Sequence, residues 1–181
     1  MVAKSWFSTK LKKISKYKLK VKLIIGFIYK DEAFFIKAKE WSRKKFGKID
    51  FESTGIDFNC TDHYEEEMGK QLKRKFISFS KLMPIQDLYR VKLYTNRLET
   101  KFSTAKCRQV NIDPGYIDLA KLVLATTKDY AHRIFLRKGI FAEITLSFRG
   151  NSFSANAWTY PDYCSKEYID IFNQIRKLYA P

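Results

Sequence analysis

The segment that most constrains the fold is KVKLIIGFIY, residues 20–29. It is rich in β-branched and aromatic residues and bounded by charge, which predicts a strand. Its apolar run, Leu23–Tyr29, is too short to span a bilayer. Lys30-Asp31-Glu32 follows at once, so the run does not fit a signal peptide either. A soluble, cytoplasmic chain without a transmembrane segment is the expectation.

The remaining segments alternate between helix and strand patterns. Asp31 is placed to cap a helix that Gly47 ends, with Phe34, Phe35, Ala38 and Trp41 as its apolar stripe. Residues 50–80 read as a long hairpin: Phe51–Tyr64 goes out, Met68-Gly69 bends, and Leu72–Phe79 returns with period-two alternation. Tyr89–Thr95 alternates and reads as a strand, and residues 97–104 as a helical turn. Val110–Asp113 reads as a short strand stopped by Asp113-Pro114-Gly115. Ile117–Thr127 is apolar almost all round and reads as a buried helix. His132–Leu136 and Ile140–Phe148 pair around Lys138-Gly139. Ser165 caps a last helix with the stripe Tyr168, Ile171, Phe172, Ile175, Leu178 and Tyr179. This order predicts an α+β fold: a mixed, mainly antiparallel sheet with helices packed on one face, in two ferredoxin-like halves. Residues 1–19 read as a basic N-terminal arm and 20–181 as a single domain.

The chain has 35 Lys and Arg against 19 Asp and Glu, a net charge of +16. A domain this basic usually meets a polyanion, whether RNA, DNA or an acidic membrane surface. The plainer reading is that a lysine- and isoleucine-rich composition reflects an AT-rich genome or a hot habitat. The first 22 residues contain Lys4, Lys10, Lys12, Lys13, Lys16, Lys18, Lys20 and Lys22 and no acid. Trp6, Phe7, Leu11 and Ile14 stand among them at helical spacing. The arm could lie on RNA, make peripheral contact with a membrane, or pack on its own domain. Cys60, Cys107 and Cys164 lie far apart without metal-ligand spacing, which argues against structural zinc and fits reduced thiols.

Polar chemistry concentrates in residues 110–146. Asn111 and Asp113 share one face of their strand, and Glu143 and Thr145 share one face of theirs, opposite Ile140, Ala142, Ile144 and Leu146. Pairing of these strands brings the four together with His132 or Arg133. Lys121 and Lys128, seven apart, would project from one side of the expected helix, and Asp129 sits at the hairpin entry. Arg and Lys neutralise phosphate. Asp113 and Glu143 could hold Mg²⁺ against phosphate oxygens, and His132 could act as a general acid or base. The plain alternative is a solvated face with cross-strand ion pairs. The acidic run Asp62–Glu67, with His63 inside it, is expected to pair with Lys70, Lys73, Arg74 and Lys75. Residues 158–163, WTYPDY, offer aromatic faces that could stack a base. No phosphate-binding loop of the P-loop type, nucleophile elbow or zinc-protease motif occurs.

The strings FNCTDHYEEEMG (58–69), NIDPGY (111–116), LVLATTKDYAHRIFL (122–136), GIFAEITL (139–146) and WTYPDY (158–163) resemble a bacterial family, the domain of unknown function numbered 4416, over about residues 20–180. The resemblance carries no activity. It marks Thr61, Asp62, Tyr64, Glu65, Met68, Gly69, Asn96, Asn111, Asp113, Gly115, Lys121, Thr127, Lys128, Asp129, His132, Arg133 and Glu143 as family positions, which overlap the polar cluster. His63 departs from the family's usual Tyr. Two readings follow: a module that binds a phosphate-bearing ligand, nucleotide or RNA, or a small-molecule enzyme with His132, Asp113 and Glu143 in a cleft. A protein-interaction scaffold is the third.

Overall fold

The computed structural model describes residues 19–59, 64–105 and 107–179; the lysine-rich arm with Trp6, Phe7, Leu11 and Ile14, together with Cys60, Asp62 and His63, lies outside them. Strand β1 (Lys20–Tyr29) lies in the interior of the sheet and is buried from its second residue onward. Its alternate residues separate two cores. Val21, Leu23, Ile25, Phe27 and Tyr29 face one side; Ile24 faces the other. Each such side chain removed from water contributes about 1.5–3 kcal/mol.

Helix α1 (Glu32–Phe46) starts where Asp31 accepts the Ala33 N–H at 2.8 Å and stops at Gly47, whose φ of 105° suits glycine. Strands β2 (Ile49–Glu52) and β3 (Ile56–Phe58) pair successively with β4 (Leu72–Phe79), so the long hairpin is broken in its outward arm. A single turn, α2 (Glu65–Met68), lies at the bend, and β5 (Met83–Pro84) pairs with the start of β1.

The stretch read as a strand at Tyr89–Thr95 is part of helix α3 (Leu88–Lys101). Its buried positions, Leu88, Val91, Lys92, Thr95, Leu98 and Glu99, recur at helical spacing. Half of that stripe is polar, which hides it from a hydrophobicity pattern.

Strand β6 (Val110–Ile117) runs straight through Pro114 and Gly115 and does not stop at Asp113. The expected helix 117–127 is instead a tight turn followed by strand β7 (Lys121–Thr126). Asp118 makes the turn: its Oδ1 accepts the N–H groups of Ala120 and Lys121 at 2.8 and 2.9 Å. Gly115 is required here, because a Cβ would sit 2.4 Å from the Val123 carbonyl oxygen. Strand β8 (Arg133–Arg137) and strand β9 (Ile140–Arg149) form the expected hairpin, β10 (Ser152–Ala155) pairs with the far half of β9, and helix α4 (Lys166–Tyr179) closes the chain. The Ser165 hydroxyl accepts the Tyr168 N–H at 3.3 Å, as its capping role requires.

The sheet order is β10-β9-β7-β6-β1-β4-β2, and every pairing is antiparallel. The class is α+β. Elements β1-α1-β2-β4-α3-β6, with strand order β6-β1-β4-β2, form one ferredoxin-like β-α-β-β-α-β unit with α1 and α3 on the same face. The second half is not a copy, since the segment expected to supply its helix is β7. It extends the sheet with β7, β9 and β10, with β9 paired to β7 and to β8, and α4 covers the opposite face with Tyr168, Ile171, Phe172 and Ile175 against Ile24, Phe76, Ile117 and Leu146. The helices therefore divide between the two faces. No helix among the described residues is long and apolar enough to cross a membrane.

Candidate functional site

Strands β6 and β7 pair only from Gly115 to Ile117. Before that, β6 leaves its neighbour, and the backbone of Ile112 has no strand partner on that side. Two α3 side chains replace it. Glu99 accepts the Ile112 N–H at 2.6 Å, and Lys92 donates to the Ile112 carbonyl at 3.2 Å. At the next such position stands Pro114, which has no N–H to satisfy. The split opens a cleft of about 750 Å³, lined from the α4 side of the sheet and, through the gap, by Lys92, Asn96 and Glu99 of α3.

Arg74 forms its floor. It projects from β4 and is 2% exposed. Gly26 on β1 leaves room for it, since a Cβ there would lie 3.2 Å from its guanidinium. One terminal nitrogen donates to the Tyr163 hydroxyl, the other reaches Asp113 at 3.4 Å, and Nε has no acceptor. The cation lies over the rings of Phe76 and Tyr163 at 5.0 and 5.3 Å. Burial by itself pulls the Arg74 pKa down; its contacts with Tyr163 and the carboxylate of Asp113 outweigh it and raise the pKa. Asp113 also takes Lys92 at 3.5 Å and the Asn111 amide at 2.7 Å. Asn111 in turn accepts from Arg108 at 2.8 Å, and Arg108 grips Glu67 with contacts down to 2.6 Å.

The opposite wall is built on Glu143, also 2% exposed. Arg133 donates to it from Nε at 2.8 Å, and His132 Nε2 stands 3.1 Å away. The other Arg133 nitrogens donate to the Lys128 carbonyl at 3.0 Å and the Tyr160 hydroxyl at 2.9 Å, which clamps the rim. The His132 ring lies nearly parallel to Tyr130 and Trp158, with centroids 6.0 and 5.5 Å away. Burial raises the pKa of Glu99 and of Asp162, against the pull of Lys92 and Arg74 respectively. Burial also pushes the Tyr64 hydroxyl up.

The cleft thus brings together Asn111, Asp113, Lys128, Arg133 and Glu143. Thr145 is buried behind them, 3.4 Å from Glu143. It is the extra residue where Leu122 pairs with Leu146 but Val123 pairs with Ile144. That bulge breaks the expected aliphatic face: Ile140 and Ala142 join the core under α1 and α3, while Leu146 joins the α4 core. Lys121 is not in the cleft. It opens β7, pairs with Asp118 at 2.9 Å and stands about 20 Å of extended chain before Lys128. Asp129 is exposed and outside the cleft wall.

Among the described residues the acidic run pairs as expected only at Glu65. Glu65 meets Lys70 at a loose 3.9 Å, but Glu67 takes Arg108, Lys75 takes Glu32, and Arg74 takes Asp113. Tyr160, Asp162 and Tyr163 from the aromatic segment do line the cleft. Arg74, Lys92, Glu99 and Arg108 are the residues sequence reasoning missed. For Arg74 a signal exists: it shares strand parity with buried Leu72 and Phe76. Among the described residues no three His, Cys, Asp or Glu side chains converge as metal ligands. No curated protein and no solved structure matches the chain. The pattern that defines the domain of unknown function (DUF4416) matches residues 19–179, and the chain belongs to that family.

Proposed function

We propose that the cleft binds a phosphate-bearing small molecule, a nucleotide, with its phosphate over Arg74, Lys92 and Lys128 and its ring against the tyrosines of the wall. One observation carries this reading. Two buried cations, Arg74 and Lys92, share the single carboxylate of Asp113 at 3.4 and 3.5 Å. Charge-assisted bonds normally close to about 2.7–2.9 Å. An anion in the cleft supplies the missing acceptors. Lys128 stands at the rim with no carboxylate partner among the described residues. Tyr64, Tyr130 and Tyr160 line the same space, and its volume is that of a small-ligand pocket.

Glu143 is saturated by Arg133, His132 and Thr145. That suits holding the wall in place better than acid–base or Mg²⁺ chemistry. The test is a thermal-shift series with nucleoside mono-, di- and triphosphates, with and without Mg²⁺. A ligand at 100 times its Kd adds about 2.7 kcal/mol, which is about 5–10 °C for a chain of this size. Lys128→Ala should weaken the response about tenfold. No shift with any nucleotide at millimolar concentration overturns the reading.

A further inference from the structure

On the other flank of α3, facing away from the nucleotide cleft, lies a second groove of about 670 Å³. Six cations surround it. Lys45 comes from the last turn of α1, Lys81 from the turn after β4, Arg90 and Arg97 from α3, and Arg137 and Lys138 from the tip of the β8–β9 hairpin. One acid, Asp87, lines the same groove and pairs with Arg90 at 3.1 Å. Among the described residues the other five cations meet no carboxylate within ion-pair distance. Like charges that line one groove repel. Between the cations the walls are aromatic. Tyr89 and Tyr94 are half-buried, with Arg90 and Arg137 lying 5.7 and 5.8 Å from the Tyr89 ring and Lys45 5.7 Å from the Tyr94 ring.

We infer that this groove is the binding track for a single-stranded nucleic acid, independent of the nucleotide cleft. The charges come from four separate elements around an open groove, spread as a repeating phosphate backbone requires. The aromatic walls give bases a face to stack on. The concave shape fits a strand better than the flat plane of a lipid surface. Arg90 and Arg97 are seven residues apart on one helix, about 10 Å along its axis, so they meet different phosphates of the strand.

The experiment is fluorescence anisotropy of the full chain with a labelled ten-nucleotide oligouridylate across a salt series. The test variant removes three exposed groove charges, Lys81→Gln, Arg97→Gln and Lys138→Gln. A matched variant removes three exposed charges elsewhere, Lys70→Gln, Arg149→Gln and Lys166→Gln. The groove variant should lose about a hundredfold in affinity near 0.1 M salt, with the log–log salt slope smaller by about 2. Tyr89→Leu, which keeps the packing, should weaken binding about tenfold without changing the slope. Equal losses in the two triple variants would mean attraction by the overall charge and would overturn the groove. So would no oligonucleotide binding at all, or binding to phosphatidylserine vesicles, lost in the groove variant, in place of the oligonucleotide.

Discussion

Glu143→Gln tests how the cleft wall is held. The substitution keeps shape and removes charge. In the native chain Glu143 and Arg133 have side chains only 3% exposed each and meet at 2.8 Å. Surface ion pairs contribute about 0–1 kcal/mol because water screens both partners. Here both side chains are largely shielded from water, so the loss of one leaves the other buried without its counter-charge, at about 3–5 kcal/mol. The Lys128 carbonyl and the Tyr160 hydroxyl still accept from Arg133, which places the expected loss at the lower end, about 3 kcal/mol.

For 181 residues that is a fall in Tm of about 6–12 °C. Urea denaturation at neutral pH reads it directly, as a lower midpoint at unchanged slope. Pairing the change with Arg133→Met closes a double-mutant cycle. The double variant should recover much of the loss, because it leaves no uncompensated charge. A single-variant cost under about 1 kcal/mol, or additive losses, would refute the claim that this pair is desolvated.

Gly115→Ala should cost about 3 kcal/mol or more, because the new Cβ meets the backbone carbonyl of Val123 at 2.4 Å, a contact that no side-chain movement relieves; amide exchange should quicken at the three β6–β7 pairs from Gly115 to Ile117. Asp31→Ala removes the acceptor of the Ala33 N–H and should cost about 1 kcal/mol in chemical denaturation, with the cleft unaffected.

The ferredoxin-like half was largely legible in the sequence, and the reason is physical. Segment 20–29 is covered on both sides, so it reads as a continuous apolar strand, and α1 carries local start and stop signals at Asp31 and Gly47 that need no tertiary context. What the sequence concealed lies next to the cleft. Inward-facing Lys92, Thr95 and Glu99 interrupt the apolar stripe of α3, and seven of its residues then imitate strand alternation. Ile117–Thr127 looks helical by length, yet Asp118 folds it into a turn and a strand. The face containing Asn111, Asp113 and Glu143 was visible from period two alone. Arg74 was hidden inside Lys73-Arg74-Lys75, where its neighbours turn to the opposite face.

The exceptions are connected. Because β6 and β7 separate before Gly115, Ile112 has an unpaired backbone that α3 must satisfy, and this is why Glu99 is carried into a buried position. Its burial raises its pKa above the ordinary value of 4.5. A carboxyl with a raised pKa stays protonated in the folded chain after the unfolded chain has lost its proton. Its contribution to stability is therefore full below about pH 4.5 and declines as pH rises through 4.5 toward the folded pKa, by up to about 1.4 kcal/mol per pH unit. Glu99→Gln keeps an oxygen for the Ile112 N–H and removes the titration. Subtracting its stability curve from that of the native chain should leave a difference that moves against the native chain as pH rises above 4.5, and then levels off. Asp162, whose pKa burial also raises, is untouched and cancels in the subtraction. A difference of the opposite sign would mean that Glu99 is held as a carboxylate by Lys92 and Arg108. The separation of β6 from β7 would then be an ion-paired seam, and the cleft would carry one more negative charge facing the proposed anion.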